Sequence, residues 1–130
     1  MTDPIADMLT QIRNSLLVGQ KSCLVRYSKI KEEILKTIKG AGYIRDFKVE
    51  EKNGKKNIRV MLAYDQDNKS IITNIRRVSK SGRRVYSTKD KLPYVLRGMG
   101  VLIITTSKGI MTDRAARKVN IGGEVICEIY

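Results

Sequence analysis

The sequence predicts an α+β protein of two small domains. An N-terminal α-β-α-β-β two-layer unit spans residues 1–65, and a mostly β domain with one short helix spans 66–130. Three observations predict this. Two long stretches of helical apolar spacing lie in the first half. Short apolar runs, alternating or continuous and bounded by Gly, Asn and Ser, fill most of the remainder. A wholly polar run, Asp65-Gln66-Asp67-Asn68-Lys69-Ser70, separates the two patterns and is the natural boundary. A chain of 130 residues suits one or two small domains.

Asp3-Pro4 opens the first helix, because Asp caps and Pro fits the first helical position. Ile5, Met8, Leu9, Ile12 and Leu16 then recur at helical spacing, and Gly19 ends the segment. Residues 22–27 read as a strand. Ser28 caps a second helix whose early Glu32 and Glu33 favour the dipole. Its apolar stripe is Ile30, Ile34, Leu35, Ile38 and Ala41, and Gly40 and Gly42 mark its end. Residues 43–51 form a strand with Phe47 and Val49 alternating against Lys48 and Glu50. Asn53-Gly54 signals a hairpin, and the returning strand puts Ile58, Val60, Leu62 and Tyr64 on one face.

In the second half, residues 71–78 read as a strand, Ser79-Lys80-Ser81-Gly82 as a turn and 83–87 as the partner strand. Residues 88–97 have room for a short helix, limited by Pro93 to its first turns. Gly98 and Gly100 bracket Met99 and reset the chain. Val101 to Thr106 is a continuous apolar strand, expected to be buried on both faces. Ser107-Lys108-Gly109 is a turn, Thr112 caps a short helix through Arg117, and Gly122-Gly123 leads into a last strand over 124–130.

Composition narrows the function. The formal net charge is +13, and hydrophobic residues at 42% argue against disorder. Residues 1–65 carry 13 basic and 8 acidic side chains, net +5; residues 66–130 carry 13 and 5, net +8. The excess concentrates in Lys69 to Arg97, which holds nine Lys or Arg and a single acid, Asp90. These cations alternate with Ile71, Ile72, Ile75, Val78, Val85, Leu92, Val95 and Leu96, so they sit on folded elements. A folded surface this positive suits a phosphate backbone, where each neutralised phosphate releases counterions. No run approaches the roughly 18 apolar residues of a membrane span, and Met1-Thr2-Asp3-Pro4 carries an acid where a signal peptide needs cations. The expectation is a protein kept inside a cell or organelle.

With no histidine in the chain, Ser–His and Cys–His nucleophiles are excluded. Cys23 and Cys127 are far apart, lack zinc spacing, and read as buried reduced thiols. There is no phosphate-binding P-loop. Glu32–Glu33 and Glu50–Glu51 are adjacent and point to different faces, so no catalytic carboxylate pair is visible. An enzyme acting on nucleotides is therefore remote, and no catalytic residue, metal or cofactor is expected.

Three constellations remain. In Thr105-Thr106-Ser107-Lys108-Gly109 a buried strand empties into three hydroxyls, a cation and a glycine. Hydroxyls can bond a base edge, a 2′-hydroxyl or a phosphate, but a plain β-turn uses the same residues and is favoured on pattern alone. Arg76, Arg77, Lys80, Arg83, Arg84 and Tyr86 form a basic hairpin with one aromatic, as single-stranded or looped RNA often requires; a core tyrosine is an equal reading of Tyr86. In Gly122-Gly123-Glu124 the acid either accepts hydrogen bonds from base groups or orients a neighbouring Arg, structural service being the safer choice.

The chain resembles the bacterial and plastid form of the small-subunit ribosomal protein S8 family. The resemblance rests on Asp3-Pro4-Ile5-Ala6-Asp7-Met8-Leu9-Thr10 with Ile12-Arg13-Asn14, on Ser28-Lys29-Ile30-Lys31, on Arg76-Arg77-Val78-Ser79 and on Gly98-Met99-Gly100. The most specific stretch is Thr105 through Arg117 followed by Gly122-Gly123-Glu124. The family commonly has Ser where this chain has Thr105, and Lys118-Val119-Asn120-Ile121 and the tail Glu128-Ile129-Tyr130 also depart from its pattern.

The resemblance implies a two-domain α+β structural protein that binds small-subunit ribosomal RNA. It would grip an irregular helix in that RNA's central domain, mainly through its C-terminal domain, and help assembly begin. It implies that Thr105, Thr106, Ser107 and Gly109, with Lys108 among them, form an RNA-contacting loop, and that Tyr86 and Glu124 are further contacts. Arg84 joins the set from the basic hairpin, Gly123 from the Gly-Gly-Glu run, and Lys29 and Lys31 from their charge at a helix start. The partners implied are ribosomal RNA, neighbouring small-subunit proteins and, as in some members, the protein's own messenger RNA. The protein would be a monomer outside the ribosome and make no membrane contact. It would reside in the cytoplasm, or in the plastid stroma if organellar.

Overall fold

Among the described residues, 3–130, the computed structural model shows three α-helices and two antiparallel sheets, the α+β arrangement expected. The chain divides into two units, Pro4–Ile72 and Thr73–Tyr130, with Asp3 belonging to the second.

The first unit runs α1 (Pro4–Leu17), β1 (Ser22–Arg26), α2 (Lys29–Gly40), β2 (Ile44–Lys52) and β3 (Lys55–Leu62). Its sheet has the order β1-β3-β2. Helix α1 buries Met8, Leu9 and Ile12, and α2 buries Ile34, Leu35 and Ile38, against Val25, Ile58, Val60 and Leu62 of the sheet. Ser28 caps α2 by accepting the Lys31 amide proton at 3.2 Å. The helix ends at Gly40, and just past its Ala41 cap Gly42 takes a φ of +87°, open to glycine without strain. There the Gly42 amide donates to the Lys39 carbonyl and the Tyr43 amide to that of Ile38, closing off orphan carbonyls. Asn53 (φ 54°) and Gly54 (φ 76°) both take positive φ between paired Lys52 and Lys55, as a two-residue hairpin turn requires.

Two details differ from the sequence reading. Ile30 is 44% exposed, while Lys31 occupies the buried position one residue on. Lys31 stands three and four residues before Ile34 and Leu35, so its stem lies along the apolar stripe. Strand β3 stops at Leu62. Tyr64 instead makes an isolated bridge with Ser70, and Asp65 Oδ1 accepts the amide protons of Asp67 (2.8 Å) and Lys69 (3.0 Å). The polar run is thus a tied turn inside the first unit.

The second unit contains β4 (Ile75–Arg77), β5 (Tyr86–Ser87), a single 3-10 turn (Leu96–Gly98), β6 (Val101–Thr106), β7 (Gly109–Thr112), α3 (Asp113–Lys118) and β8 (Gly123–Ile129). The sheet order is β4-β8-β6-β7, with β5 also on β8. Of the run Val101 to Thr106, expected to be buried on both faces, Val101 to Ile104 are buried and Thr105 and Thr106 only half-buried. Thr112 caps α3 by accepting the Ala115 amide proton at 3.2 Å. The core joins Leu92, Val95, Leu102, Ile104, Ala116 and Val125.

Two expectations are corrected here, and one further strand appears. The strands expected at 71–78 and 83–87 are short and do not pair with each other as a ladder. Both lie along one edge of β8, β4 opposite Cys127–Ile129 and β5 opposite Gly123 and Glu124. Between them Val78 and Ser79 donate to Ile126 and Val125 carbonyls, and residues 80–84 loop out around a single Lys80–Arg83 bridge. The long strand β8 offers more ladder hydrogen bonds than a local hairpin, so it captures both arms. The helix expected in 88–97 is reduced to the 3-10 turn; Pro93 removes a donor and Leu96 and Arg97 adopt positive φ. Strand β7 was not anticipated, because its four residues are too few to show an alternation.

Candidate nucleic-acid interface

Strand β8 carries Glu124 between two partners in register: Tyr86 of β5 on one side and Thr105 of β6 on the other. Directly opposed residues of antiparallel strands share a sheet face, so these three side chains form a row across the sheet. The row leads into the β6–β7 hairpin, closed by the Thr106–Gly109 pair. At its tip the Thr106 hydroxyl donates to the Gly109 carbonyl at 2.8 Å and accepts the Lys108 amide proton at 3.1 Å. Thr106 thus rigidifies the turn. Ser107 and Lys108 project from it, exposed, and the Ser107 hydroxyl has no intramolecular hydrogen bond among the described residues. Gly109 takes a φ of +108°, in the region that favours glycine. The turn and the hydroxyl surface are therefore one object.

Close approach dictates the Gly122-Gly123 pair. A Cβ on Gly123 would lie 2.1 Å from the Thr105 carbonyl oxygen, and one on Gly122 would lie 2.1 Å from that of Ser87. Both contacts are with backbone, which cannot step aside as a side chain can. Gly123 is what lets β8 lie against β6 at the start of the row.

Glu124 is the hub of a small polar network. Its Oε2 accepts a short hydrogen bond from the Ser79 hydroxyl and one from Arg84 Nη1 at 3.0 Å. Ser79, fully buried, in turn accepts the Val85 amide proton at 3.1 Å. The acid thus pins the loop-out of residues 80–84 to β8 and holds the Arg84 guanidinium over the row. Arg84 is about half exposed, so the pair contributes little stability and chiefly aims the cation. Tyr86 is 69% exposed, which places its ring in solvent and not in the core.

The remaining cations divide into two kinds. Arg77 is tied to Asp3 and to the Ile126 carbonyl, and Arg76 to Glu128. Lys80, Arg83, Lys89 and Lys91 are exposed. Thus Thr105, Thr106, Ser107, Lys108, Gly109, Tyr86, Arg84, Gly123 and Glu124 are gathered in one unit. Lys29 and Lys31 belong to the other. Lys29 is exposed. Lys31 is buried, its ammonium donates to the Arg26 carbonyl at 3.2 Å, and desolvation holds its pKa below the ordinary lysine value.

Two elements of the architecture escaped the sequence reading. Ser79 gave no signal beyond its place after Val78. Asp113, nearly fully buried, accepts the Leu102 amide proton at 3.0 Å and pairs with Arg117 at 2.6 Å. Arg117 also donates to the Pro93 carbonyl and lies 3.7 Å from the Tyr94 ring centroid. The spacing of Asp113 and Arg117, four apart on a short helix, was the available signal.

Fold and surface together define a class: a small basic α+β protein whose second unit presents hydroxyls, an aromatic ring and aimed cations on one sheet, as nucleic-acid-binding proteins do. No helix among the described residues is long and apolar enough to cross a membrane. The family model for Ribosomal protein S8 matches residues 3–130. A small ribosomal subunit protein uS8 from Hydrogenovibrio crunogenus is 48% identical over 129 residues, covering 99% of this chain and 98% of its own length. The uS8 of Mycoplasma mobile is 48% identical over 130 residues, covering 100% of this chain and 97% of its own, and that of Bacillus cereus is 46% identical, covering 100% and 98%. The chain belongs to the ribosomal protein S8 family. It is a structural, non-enzymatic constituent of the small ribosomal subunit, located in the ribosome.

Proposed function

We propose that this protein is a primary binder of small-subunit ribosomal RNA that grips an irregular helix in the central domain of that RNA and helps its assembly. The carrying observation is the Tyr86–Glu124–Thr105 row running into a rigid hairpin tip with exposed hydroxyls. Cations of residues 69–97 supply attraction and position the backbone, while the tip, Tyr86 and Glu124 test shape and unpaired bases. A regular A-form helix hides its major groove, so the target is an irregular helix whose bases are accessible. Arg84, held by Glu124, meets a phosphate; Lys29 contributes a contact from the first unit. Lys31 acts through the backbone it holds, since its ammonium is already engaged. Outside the ribosome we expect a monomer, and within it contacts with neighbouring small-subunit proteins.

The test is binding of purified protein to a short irregular helix from the central domain, with a perfectly paired duplex of equal length as competitor and salt varied. A strong preference for the irregular helix that persists at high salt is expected. Equal binding that collapses with salt would leave only an unspecific basic surface and sink the proposal.

A further inference from the structure

The three-stranded sheet of the first unit has two outer strands, β1 and β2, and they are built differently. Sheet edges are normally blunted by charge, proline or a bulge, because their unpaired backbone groups template another strand. Strand β2 follows that rule. Arg45, Asp46, Lys48, Glu50, Glu51 and Lys52 charge it, and its pairing with β3 slips between Ile44 and Asp46. Strand β1 does not. Its one charged residue is the terminal Arg26, and its register on β3 runs unbroken from Ser22–Met61 to Arg26–Asn57.

The bonding of β1 shows which groups face outward. The Lys21 carbonyl accepts from the Leu62 amide, and the Tyr27 amide donates to the Lys56 carbonyl. Alternate residues of an antiparallel pair bond the partner, so residues 21, 23, 25 and 27 turn their N–H and C=O to β3. Ser22, Leu24 and Arg26 turn theirs away. The Arg26 carbonyl is taken by the Lys31 ammonium at 3.2 Å. The amides and carbonyls of Ser22 and Leu24 have no hydrogen bond within the protein among the described residues. A cleft of about 370 Å³ lies along this edge. Cys23, which meets Ser15 of α1, lines it from one face of the sheet together with Gln11 and Asn14. Ser22, Leu24 and Arg59 line it from the other face. A cleft reached from both faces of a strand passes around its edge, so this edge is open.

We propose that β1 is a docking edge that takes an extended segment of another protein as a fourth strand, with acids where the segment passes Lys21 and Arg26. The outward groups of Ser22 and Leu24 supply donors and acceptors in the alternation that a strand supplies in return. Phosphate oxygens only accept, so a nucleic-acid backbone would leave both carbonyls unpaired. A second copy of this chain is a poor match, because two molecules of formal charge +13 repel. Lys21 and Arg26, both exposed, stand at the two ends of the strand and favour acids opposite them. Gln11 and Asn14, exposed and three apart on α1, offer side-chain amides to the incoming segment. This edge belongs to the first unit and does not rest on the RNA-binding reading.

The experiment follows amide hydrogen exchange of the full chain with and without a synthetic peptide that alternates Thr and Val and ends in Glu on both sides. In the free protein the Cys23 and Val25 amides should be protected and those of Ser22 and Leu24 should exchange freely. Saturating peptide should protect Ser22 and Leu24, which only a strand on this edge can do. A peptide with Lys at both ends should bind about tenfold more weakly. The same peptide N-methylated at alternate residues keeps its side chains, loses its donors and should not bind. Leu24→Pro removes an outward N–H, leaves the bonds to β3 in place, and should abolish binding with little change in melting temperature. Slow exchange of Ser22 and Leu24 in the free protein would overturn the proposal, as would peptide binding that leaves them unprotected. Protection of these two amides by a single-stranded RNA oligonucleotide and not by the peptide would overturn it in favour of nucleic acid.

Discussion

Ser107 and Gly123 lie at opposite ends of the site and serve it by opposite means. Ser107 offers an exposed hydroxyl on a turn whose geometry Thr106 already maintains. Ser107→Ala should therefore cost on the order of 1–2 kcal/mol of RNA affinity and leave the thermal midpoint unchanged. Titration calorimetry beside a melting curve separates the two, and unchanged affinity would place the contact elsewhere. Gly123 offers an absence. With the Thr105 carbonyl 2.1 Å from any Cβ, Gly123→Ala should destabilise the second unit by roughly 1–3 kcal/mol, seen as a lower melting temperature before any RNA is added. Arg84→Ala removes a cation aimed by Glu124, and should lower the slope of log affinity against log salt by about one. An unaltered slope would mean that Arg84 meets no phosphate. The sequence exposed the chemistry at Ser107 and Arg84 because the residue types announce it. It did not expose the reason for Gly123, because the neighbour that forbids a side chain lies 18 positions away along the chain.

At the scale of elements, α3 has only six residues, too few to be stable alone. Its Thr112 cap and the buried Asp113 hold it to β6. Asp113 Oδ1 takes the Leu102 amide proton and Oδ2 takes Arg117, so removing the carboxylate strands both a buried donor and a cation. Asp113→Ala should cost about 3–5 kcal/mol, measurable by urea unfolding. A cost below 1 kcal/mol would show that the pair is expendable. In the first unit, the hydrogen bond from Lys39 depresses the Asp46 carboxyl below its ordinary 3.8, and the hydrogen bond from Arg59 depresses the Glu50 carboxyl below its ordinary 4.5. Over the acid range the unfolded chain therefore binds more protons than the folded one, so stability rises with pH. The contribution is fully present above those ordinary values and is lost as pH falls through the depressed ones. Glu50→Gln should flatten the acid limb of a stability–pH curve, and an identical limb in the variant would rule the pair out as a cause. Helices and hairpin turns of this unit were legible in advance, because caps, stripes and Asn-Gly act within a few residues. The fate of Ile30 and Lys31 was not, since both fit the first turn and only packing chose between them.

For the whole molecule, the two cysteines report on different units. Cys127 is buried in β8, and desolvation pushes its thiol up to about 12; Cys23 is partly buried and raised by the same cause, countered by a hydrogen bond with Ser15. A rise from 9.0 to about 12 cuts the thiolate fraction about a thousandfold near neutral pH, beyond the loss of access. A thiol reagent should therefore modify Cys23 first and reach Cys127 only when the second unit opens. Equal rates in native buffer would contradict that burial. By itself, the sequence determined the α+β class, the two long helices and the short one after Thr112, the Asn53-Gly54 hairpin, the strand at 101–106, the basic bias and the family, because periodicity, turn chemistry and charge are local or additive properties. Only the tertiary structure decided that β4 and β5 both pair with β8, that Ser79 and Glu124 are one device with Arg84, and that Lys31 is engaged inside the protein. Each depends on which distant segment supplies the partner atom, and strand pairing is settled by total hydrogen bonding and burial, which no short stretch of sequence contains.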